Sequence, residues 1–322
     1  MSADSVAGAG SGEPATVRGT AVPSISAVAI LGAGTMGRRI AYSCVLGGMS
    51  TRLYDSSPHA LEAAVPAVRG LIDRRLARES GRVDSPETVM KRLVICRSIQ
   101  ESVDNVDLVI ETVAENVSVK RAVFAEADRY APTSALIGSN TSSIPGSRLA
   151  GATGRPAQVF NFNWGKPEHL KVEVMAHPGT APETLEAAVG FVRSLGLVPI
   201  VVSREIMGYA TNRIWRAVKK EVLHLLDGGY ISAEDVDRAW MLDWGTPMGP
   251  CGLMDEVGLD VIRDIELIYY GETGDLSDRP PQLLENMIAA GNLGVKSGQG
   301  FYSYPDPAYR KPGWLVGSDR RE

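Results

Sequence analysis

The stretch AVAILGAGTMG, residues 27–37, decides the fold. It begins as a short apolar run typical of a buried strand and continues as a glycine-rich turn that opens an amphipathic segment at Thr35. In such a strand–turn–helix unit the first glycine makes the tight turn, the second lets backbone approach a pyrophosphate, and the third lets helix and strand pack closely. The stretch therefore predicts a dinucleotide site in which amides at the helix N-terminus hold the phosphates.

The end of the next strand-like run indicates which dinucleotide binds. Asp55 closes the run TRLYD, 23 residues beyond Gly32. A carboxylate there accepts hydrogen bonds from ribose hydroxyls and repels a 2′-phosphate, so it favours NAD over NADP. Arg52 would favour NADP, but it lies three residues before Asp55, and we interpret it as a solvated side chain. We therefore expect NAD as the cofactor, bound by the following residues: Gly32, Gly34, Thr35, Met36, Gly37 and Asp55.

Strand-like and helix-like segments alternate as far as about Ser203. The strand-like runs are AVAIL, TRLYD, RLVIC, DLVIE, ALIGS, AQVFNF, LKVEVM and LVPIVVS. This alternation predicts an α/β fold with a Rossmann-type, doubly wound and mainly parallel sheet, and the helix-like segments that follow predict a second, all-α-helical domain. We expect a disordered tail at 1–24, the Rossmann-type domain at 25–205, the helical domain at 206–308 and a C-terminal tail at 309–322.

Composition excludes several classes of protein. The formal charge of -5 over 322 residues leaves no global cationic field for nucleic acid or anionic lipid. No apolar run approaches the roughly 18 residues that cross a bilayer. The three cysteines lie far apart without a CxxC pair, so we expect no disulfide framework, no metal site and a reducing, cytoplasmic location.

Six segments resemble the 3-hydroxyacyl-CoA dehydrogenase family between about Ala27 and Tyr304. They are GAGTMG, DLVIETVAENVSVK, SNTSS, KVEV, GYATNR with PMGPCGLMDEVGLD, and GVKSGQGFYSY. The resemblance implies hydride transfer between NAD(H) and a 3-hydroxy or 3-keto acyl thioester or a related small hydroxy acid. It also implies a homodimer, because the helical domain forms the dimer interface in that family.

The resemblance further implies the roles of several residues. Glu115 and Lys120 match a pair that contacts the cofactor near its nicotinamide end, although their spacing is poor for an ion pair within a helix. Ser142 matches a serine that hydrogen-bonds the substrate oxygen, and Asn212 matches an asparagine supplied by the helical domain. Asn140, from the same segment as Ser142, is expected to bind the cofactor.

A basic segment at 58–92 corresponds to a helical excursion that contacts coenzyme A in the family. Its cationic side chains are Arg69, Arg74, Arg75, Arg78, Arg82, Lys91 and Arg92. Such a segment on an acidic protein suits a phosphate-rich carrier, either coenzyme A or the phosphopantetheine of an acyl carrier protein. The same composition is also typical of a solvated helix face.

The family's catalytic histidine is missing from this sequence. In the family it lies twelve residues before the glutamate of the VEV strand; Glu173 fits that glutamate, and counting back twelve residues gives Asn161. Imidazole can take the hydroxyl proton as hydride leaves, whereas an amide cannot. We therefore expect Asn161 to orient the reacting oxygen, together with Ser142 and Asn212.

Four hypotheses remain for the chemistry. Another group supplies the proton path (His169, Lys166, Lys171 or water held by Glu173), or the substrate needs no base, as in reduction of a protonated imine. Alternatively the chain performs a slow or non-redox reaction, or it binds NAD without turnover. Because an unpaired carboxylate in a half-buried strand is costly, Glu173 should have a raised pKa or contact a lysine or His169.

Overall fold

The computed structural model describes residues 24–78, 84–165 and 170–317. The chain divides into two compact units, the first ending at Tyr209 and the second beginning at Ala210. The sequence predicted this boundary at 205/206. The predicted disordered tail falls almost entirely on residues 1–23, which lie outside the described residues.

Eight strands form one sheet in the first unit. In chain order they are β1 (Ala27–Leu31), β2 (Ser50–Tyr54), β3 (Leu93–Ile95), β4 (Leu108–Glu111), β5 (Leu136–Asn140), β6 (Val159–Trp164), β7 (Lys171–Met175) and β8 (Val198–Val202). Their order in the sheet is β3-β2-β1-β4-β5-β6-β7-β8. Every neighbouring pair is parallel except β6 and β7, which are antiparallel. The predicted mainly parallel sheet is confirmed, with a strand at each of the eight predicted runs.

Helices cover both faces of this sheet. They are α1 (Thr35–Leu46), α2 (Pro58–Leu76), α3 (Pro86–Met90), α4 (Ile99–Val103), α5 (Val117–Tyr130), α6 (Ser147–Ala150) and α7 (Pro182–Ser194). Alternate residues of β1 enter different cores: Ile30 packs in the core that contains Ile40 of α1, and Leu31 in the core that contains Phe124 of α5. This two-sided burial explains why the strands are apolar runs rather than alternating patterns.

The second unit is helical, as predicted. Its helices are α8 (Tyr209–Asp227), α9 (Ala233–Trp244), α10 (Pro250–Val257), α11 (Leu259–Thr273) and α12 (Gln282–Ala289). Two buried carboxylates organise it. Asp237 accepts hydrogen bonds from the backbone N–H groups of Cys251 and Gly252 at the start of α10, at 2.7 and 2.9 Å. Asp255 accepts from the N–H groups of Phe301 and Tyr302 at 3.0 and 2.9 Å, so it ties α10 to the segment GVKSGQGFYSY.

The predicted C-terminal tail is wrong for residues 309–317. Tyr309 and Trp314 are 6% and 1% exposed and belong to the core of the second unit. The Arg238 guanidinium lies 4.4 Å from the centroid of the Trp314 ring, and its Nε donates to the Trp314 carbonyl at 3.0 Å. The proline, glycine and charge of this segment suggested a loose end, but its aromatic side chains anchor it to the helices.

Within the described ranges, no helix has the length and apolarity needed to cross a membrane. The same residues contain no group of three or more histidine, cysteine, aspartate or glutamate side chains arranged to hold a metal ion.

Candidate active site

The glycine-rich turn between β1 and α1 is shaped by two close approaches. Gly32 has φ +118°, and a Cβ there would lie 2.6 Å from the Thr112 carbonyl oxygen. A Cβ on Gly37 would lie 1.8 Å from the Gly32 carbonyl oxygen. These two positions therefore require glycine for the turn and for close packing of helix on strand, as the sequence predicted.

Gly34 is different, because it faces open space. A Cβ on Gly34 would meet no heavy atom within 4 Å, and the residue lines two neighbouring cavities of about 450 and 550 Å³. The first turn of α1 contains no acidic residue, and no side chain caps its N-terminus. An open backbone surface beside uncapped helix amides fits the pyrophosphate of a dinucleotide.

Asp55 lines the 450 Å³ cavity, together with Tyr54 and Ser56. Its carboxylate accepts hydrogen bonds from the backbone N–H of Ala33 at 2.7 Å and of Ser57 at 2.8 Å, which fixes it beside the glycine turn. Arg52 points to another partner, since it donates to the Glu101 carbonyl at 2.8 Å. The arrangement fits a ribose that carries free hydroxyls, as NAD does.

The 550 Å³ cavity lies where parallel strands end. Its lining comes from the start of α1, from the loops after β4 and β5, and from the end of β6: Gly34, Thr35, Met36, Thr112, Val113, Ala114, Glu115, Asn140, Ser142, Asn163 and Trp164. The carboxyl ends of parallel strands are where ligands bind in sheets of this type. Ser142 is exposed here, and the side-chain oxygen Oδ1 of Asn140 accepts a hydrogen bond from the backbone N–H of Trp164 at 3.2 Å.

Lys120 is a buried cation beneath this cavity. Its side chain is 0% exposed and lies 2.8 Å from the Glu111 carboxylate and 3.3 Å from that of Glu115. Glu115 precedes α5, which begins only at Val117. The spacing rule for ion pairs within a helix therefore does not apply to Glu115 and Lys120. Glu111 was not predicted as a site residue. The signal available in the sequence was an acidic residue directly after the apolar residues of the run DLVIE.

The two carboxylates differ in their surroundings. Burial raises the pKa of Glu111, although the ammonium of Lys120 and hydrogen bonds from Lys120 and Ser139 partly offset the shift. Burial alone would also raise the pKa of Glu115, but hydrogen bonds from Thr141 and Ser143 and the charge of Lys120 outweigh it, so that pKa is lowered. Glu115 therefore presents a negative charge to the cavity.

Strand register corrects the prediction for Asn161. In the antiparallel pair β6/β7, Asn163 lies opposite Glu173 and Asn161 lies opposite Met175. The Asn163 amide nitrogen donates to Glu173 at 2.8 Å, whereas that of Asn161 donates to the Ile144 carbonyl at 2.9 Å. Asn161 is 1% exposed, and it is absent from the lining of the cavity, which includes Asn163.

The expectation for Asn161 came from the family spacing of twelve residues, whereas Asn163, which lies opposite Glu173, is ten residues from it. Both asparagines share strand parity, so alternation could not separate them. Only the register of β6 against β7 identifies the residue that faces the glutamate.

The environment of Glu173 agrees with its prediction. Its side chain is 0% exposed, and the Lys171 ammonium lies 3.8 Å from its carboxylate. The expected contact with a lysine is thereby confirmed, as an ion pair longer than a hydrogen bond. The other candidates for the proton path, Lys166 and His169, lie outside the described residues.

Two further expectations concern regions away from this cavity. Asn212 is exposed on the first turn of α8, within the second unit, and its role stays a prediction. In the basic segment, Arg69 pairs with Asp73 and Glu87 at 2.9 and 2.5 Å, and Arg92 pairs with Asp84 at 2.7 Å. The exposed cations of α2 and its C-terminal end are Arg74, Arg75 and Arg78, and Arg82 lies outside the described residues.

Known proteins are similar to this chain in sequence and fold. The model of the 3-hydroxyacyl-CoA dehydrogenase NAD-binding domain matches residues 27–206, and that of the C-terminal domain matches 208–304. A probable 3-hydroxybutyryl-CoA dehydrogenase of Bacillus subtilis is 32% identical over 88% of this chain and 98% of its own length. A 5-formyl-3-hydroxy-2-methylpyridine 4-carboxylate 5-dehydrogenase of Mesorhizobium japonicum is 31% identical over 86% of this chain and 90% of its own.

A solved structure agrees with these matches. The (S)-3-hydroxybutyryl-CoA dehydrogenase of Ralstonia eutropha superposes with a TM-score of 0.81 at 32% identity, covering 88% of this chain and 100% of its own. The chain therefore belongs to the 3-hydroxyacyl-CoA dehydrogenase family and carries its NAD-binding domain.

Proposed function

We propose that the chain transfers hydride between NAD(H) and a 3-hydroxy or 3-keto acyl thioester, with an amide in place of the usual imidazole. Relatives that share about a third of its residues over nearly their whole length are described as 3-hydroxybutyryl-CoA dehydrogenases. The observation that carries the proposal is the cavity that joins the Gly34 turn to Ser142 and Asn163. It brings a dinucleotide-binding backbone and hydrogen-bonding side chains to one place.

The chain's own residues bind the cofactor and orient the substrate. The turn at Gly34 and the start of α1 receive the pyrophosphate, Asp55 receives the ribose, and Glu115 and Lys120 lie at the nicotinamide end. NAD(H), when bound, supplies or accepts the hydride. Ser142 and Asn163 orient the reacting oxygen, and Glu173 holds the Asn163 amide in place.

The acid-base chemistry differs from that of a histidine dyad. An amide at residue 163 can hydrogen-bond an oxygen but cannot remove its proton. General acid-base catalysis is typically worth about 10² to 10⁴ in rate, so alcohol oxidation and ketone reduction should be slow in the wild type. The exposed arginines of α2 support a phosphate-bearing carrier, coenzyme A or the phosphopantetheine of a carrier protein.

The proposed function is tested first by NADH binding and then by turnover of a 3-keto acyl thioester. NADH is titrated by its fluorescence, and acetoacetyl-CoA is then added while nicotinamide absorbance is followed. We expect saturable NADH binding and slow but measurable oxidation of NADH. A wild type that binds no NADH would contradict the proposal.

Gly34→Val provides the matched variant. A Cβ at Gly34 meets no heavy atom within 4 Å, and Gly34 lines the cavity, so we expect valine there to abolish NADH affinity while the melting temperature stays near that of wild type. Gly190→Val is the control, because Gly190 is also open, at an exposed position of α7 far along the chain from the turn. Unchanged NADH affinity in Gly34→Val would overturn the placement of the cofactor.

A further inference from the structure

The hydrogen bond to Glu173 fixes which end of the Asn163 amide faces the carboxylate. A carboxylate only accepts hydrogen bonds, so the amide nitrogen must face it. The 2.8 Å contact between Asn163 Nδ2 and Glu173 Oε2 shows this arrangement. The carbonyl oxygen Oδ1 is attached to the same carbon and is therefore directed away from Glu173.

This oxygen is a hydrogen-bond acceptor with no donor among the described residues. Asn163 is half-buried and lines the 550 Å³ cavity. The oxygen Oδ1 of Asn161 is a buried atom without a hydrogen-bond partner. The oxygen Oδ1 of Asn163 does not belong to that group of buried atoms. The acceptor of Asn163 is therefore accessible to a ligand in the cavity.

The charges near the cavity suit a cationic donor. Glu115 lines it as a carboxylate whose pKa is lowered. Glu173 lies behind Asn163 and is countered by Lys171 at 3.8 Å, and Lys120 lies between Glu111 and Glu115. No lysine or arginine is among the described residues that line this cavity. A protonated nitrogen thus meets an acceptor and a carboxylate, and it meets no opposing cation among those lining residues.

We propose that the reacting atom of the substrate is nitrogen: the site reduces a protonated 3-iminoacyl thioester to the 3-aminoacyl thioester. This substrate class rests on the proposed function, since it keeps the acyl thioester and the hydride chemistry and replaces only oxygen by nitrogen. The iminium N–H donates to Asn163 Oδ1, and Glu173 keeps the amide in the orientation that accepts.

The step balances without a base. The iminium carbon gains one hydride, the carbon–nitrogen π pair becomes the nitrogen lone pair, and NADH becomes NAD⁺. The nitrogen keeps the hydrogen that it donates to Asn163, so no proton moves during hydride transfer. A ketone would need a proton as well, which an amide cannot supply.

The test compares two dead-end ligands by calorimetry at pH 7 in saturating NADH. They are 3-aminobutyryl-CoA, which carries an ammonium, and 3-hydroxybutyryl-CoA, which differs only at the reacting atom. Neither can be reduced further, so affinity is measured without turnover. Because charge-assisted hydrogen bonds are stronger than neutral ones, wild type should bind the amine about 10-fold more tightly.

Two variants test the roles of Asn163 and Glu173 in this preference. Asn163→Leu removes the acceptor, and Glu173→Gln offers both a donor and an acceptor, so it no longer fixes the amide orientation. Each should reduce the preference for the amine to about 1- to 2-fold, with thermal melting used to verify the fold. The second variant keeps the test decisive if the first does not fold.

The outcomes are distinguishable. Equal affinity in wild type, tighter binding of the alcohol, or a preference that survives both variants overturns the nitrogen assignment but leaves the proposed function standing. Binding of neither thioester to a protein that binds NADH overturns the proposed thioester function itself.

Discussion

At the scale of single residues, we propose that Asp55 sets the choice of cofactor. Both of its carboxylate oxygens accept backbone hydrogen bonds, from Ala33 and Ser57, so the side chain is already oriented in the 450 Å³ cavity. Such a fixed anion repels a 2′-phosphate.

We predict that Asp55→Ser lowers NADH affinity about 10-fold and raises the ratio of NADPH to NADH affinity, because one charge and two turn-fixing acceptors are lost. Fluorescence titration with both cofactors measures this ratio. Asp104→Ser is the control, since Asp104 is exposed and lies outside both cavities. A ratio that stays at the wild-type value would mean that another residue rejects NADP.

The residue scale also shows where sequence reasoning ends. The close packing at Gly32 and Gly37 followed from a local motif and is present in the structure, and the role of Gly34 at the pyrophosphate stays a prediction. The residue that faces Glu173 depends instead on how β6 and β7 pair. Pairing is a tertiary property, so a count along the chain selected Asn161 instead of Asn163.

At the scale of elements, the contact between β4 and α5 includes a buried ion pair beside its apolar packing. Lys120 of α5 and Glu111 of β4 are each 0% exposed and lie 2.8 Å apart. Removing one partner of a buried pair leaves an uncompensated charge, which typically costs about 3 to 5 kcal/mol.

We predict a loss of about this size in the free energy of unfolding of Lys120→Met at pH 7, and a smaller loss at pH 5. The pKa of Glu111 is higher in the folded state than in the unfolded state. Between these two pKa values, the folded state therefore binds more protons at this carboxyl than the unfolded state does. Its ionisation therefore costs stability as pH rises through the folded pKa. Removal of Lys120 raises that pKa further.

Denaturant unfolding of Lys120→Met at both pH values measures the effect. Lys91→Met is the control, because Lys91 is exposed and should change stability by no more than about 0.5 kcal/mol. Equal losses at pH 5 and pH 7 would show that Glu111 is not the group left uncompensated.

The elements themselves were largely predictable. Each of the eight strands is a compact apolar run bounded by turn residues, so local pattern sufficed. The ion pair between Glu115 and Lys120 was not expected, because the start of α5 was not known. Its N-cap, Asn116, separates the two residues and lets Glu115 turn back to the lysine.

At the scale of the whole molecule, the second unit exposes large apolar side chains. They include Ile214, Tyr230, Leu242, Trp244, Leu267, Ile268 and Leu276, each at least 45% exposed. Such surface is typical of an interface between protein chains. It supports the proposal of a homodimer formed through the helical unit.

We predict a particle of twice 34.4 kDa by light scattering, and a shift toward monomer in Ile268→Glu, because a charge placed in an apolar interface is desolvated. NADH affinity should persist, since every residue that lines the two cavities lies in the first unit. Val65→Glu, on α2 of the first unit, is the control and should remain dimeric. A monomeric wild type would contradict the proposal.

The arrangement of two units followed from the sequence, because alternating and purely helical segments are separated along the chain. The packing of the C-terminal residues did not follow from the sequence, since Tyr309 and Trp314 are buried in a core cluster that includes residues of distant helices. Local composition carries no information about such a partner.

We propose that Asn163, fixed by Glu173, occupies the place of the catalytic base. The most direct measurement is kcat/KM for NADH and acetoacetyl-CoA in wild type, Asn163→His and Asn161→His. Imidazole at residue 163 should raise kcat/KM by about 10² or more, and imidazole at the buried residue 161 should not raise it. A gain in Asn161→His, or none in Asn163→His that binds NADH normally, would contradict the account.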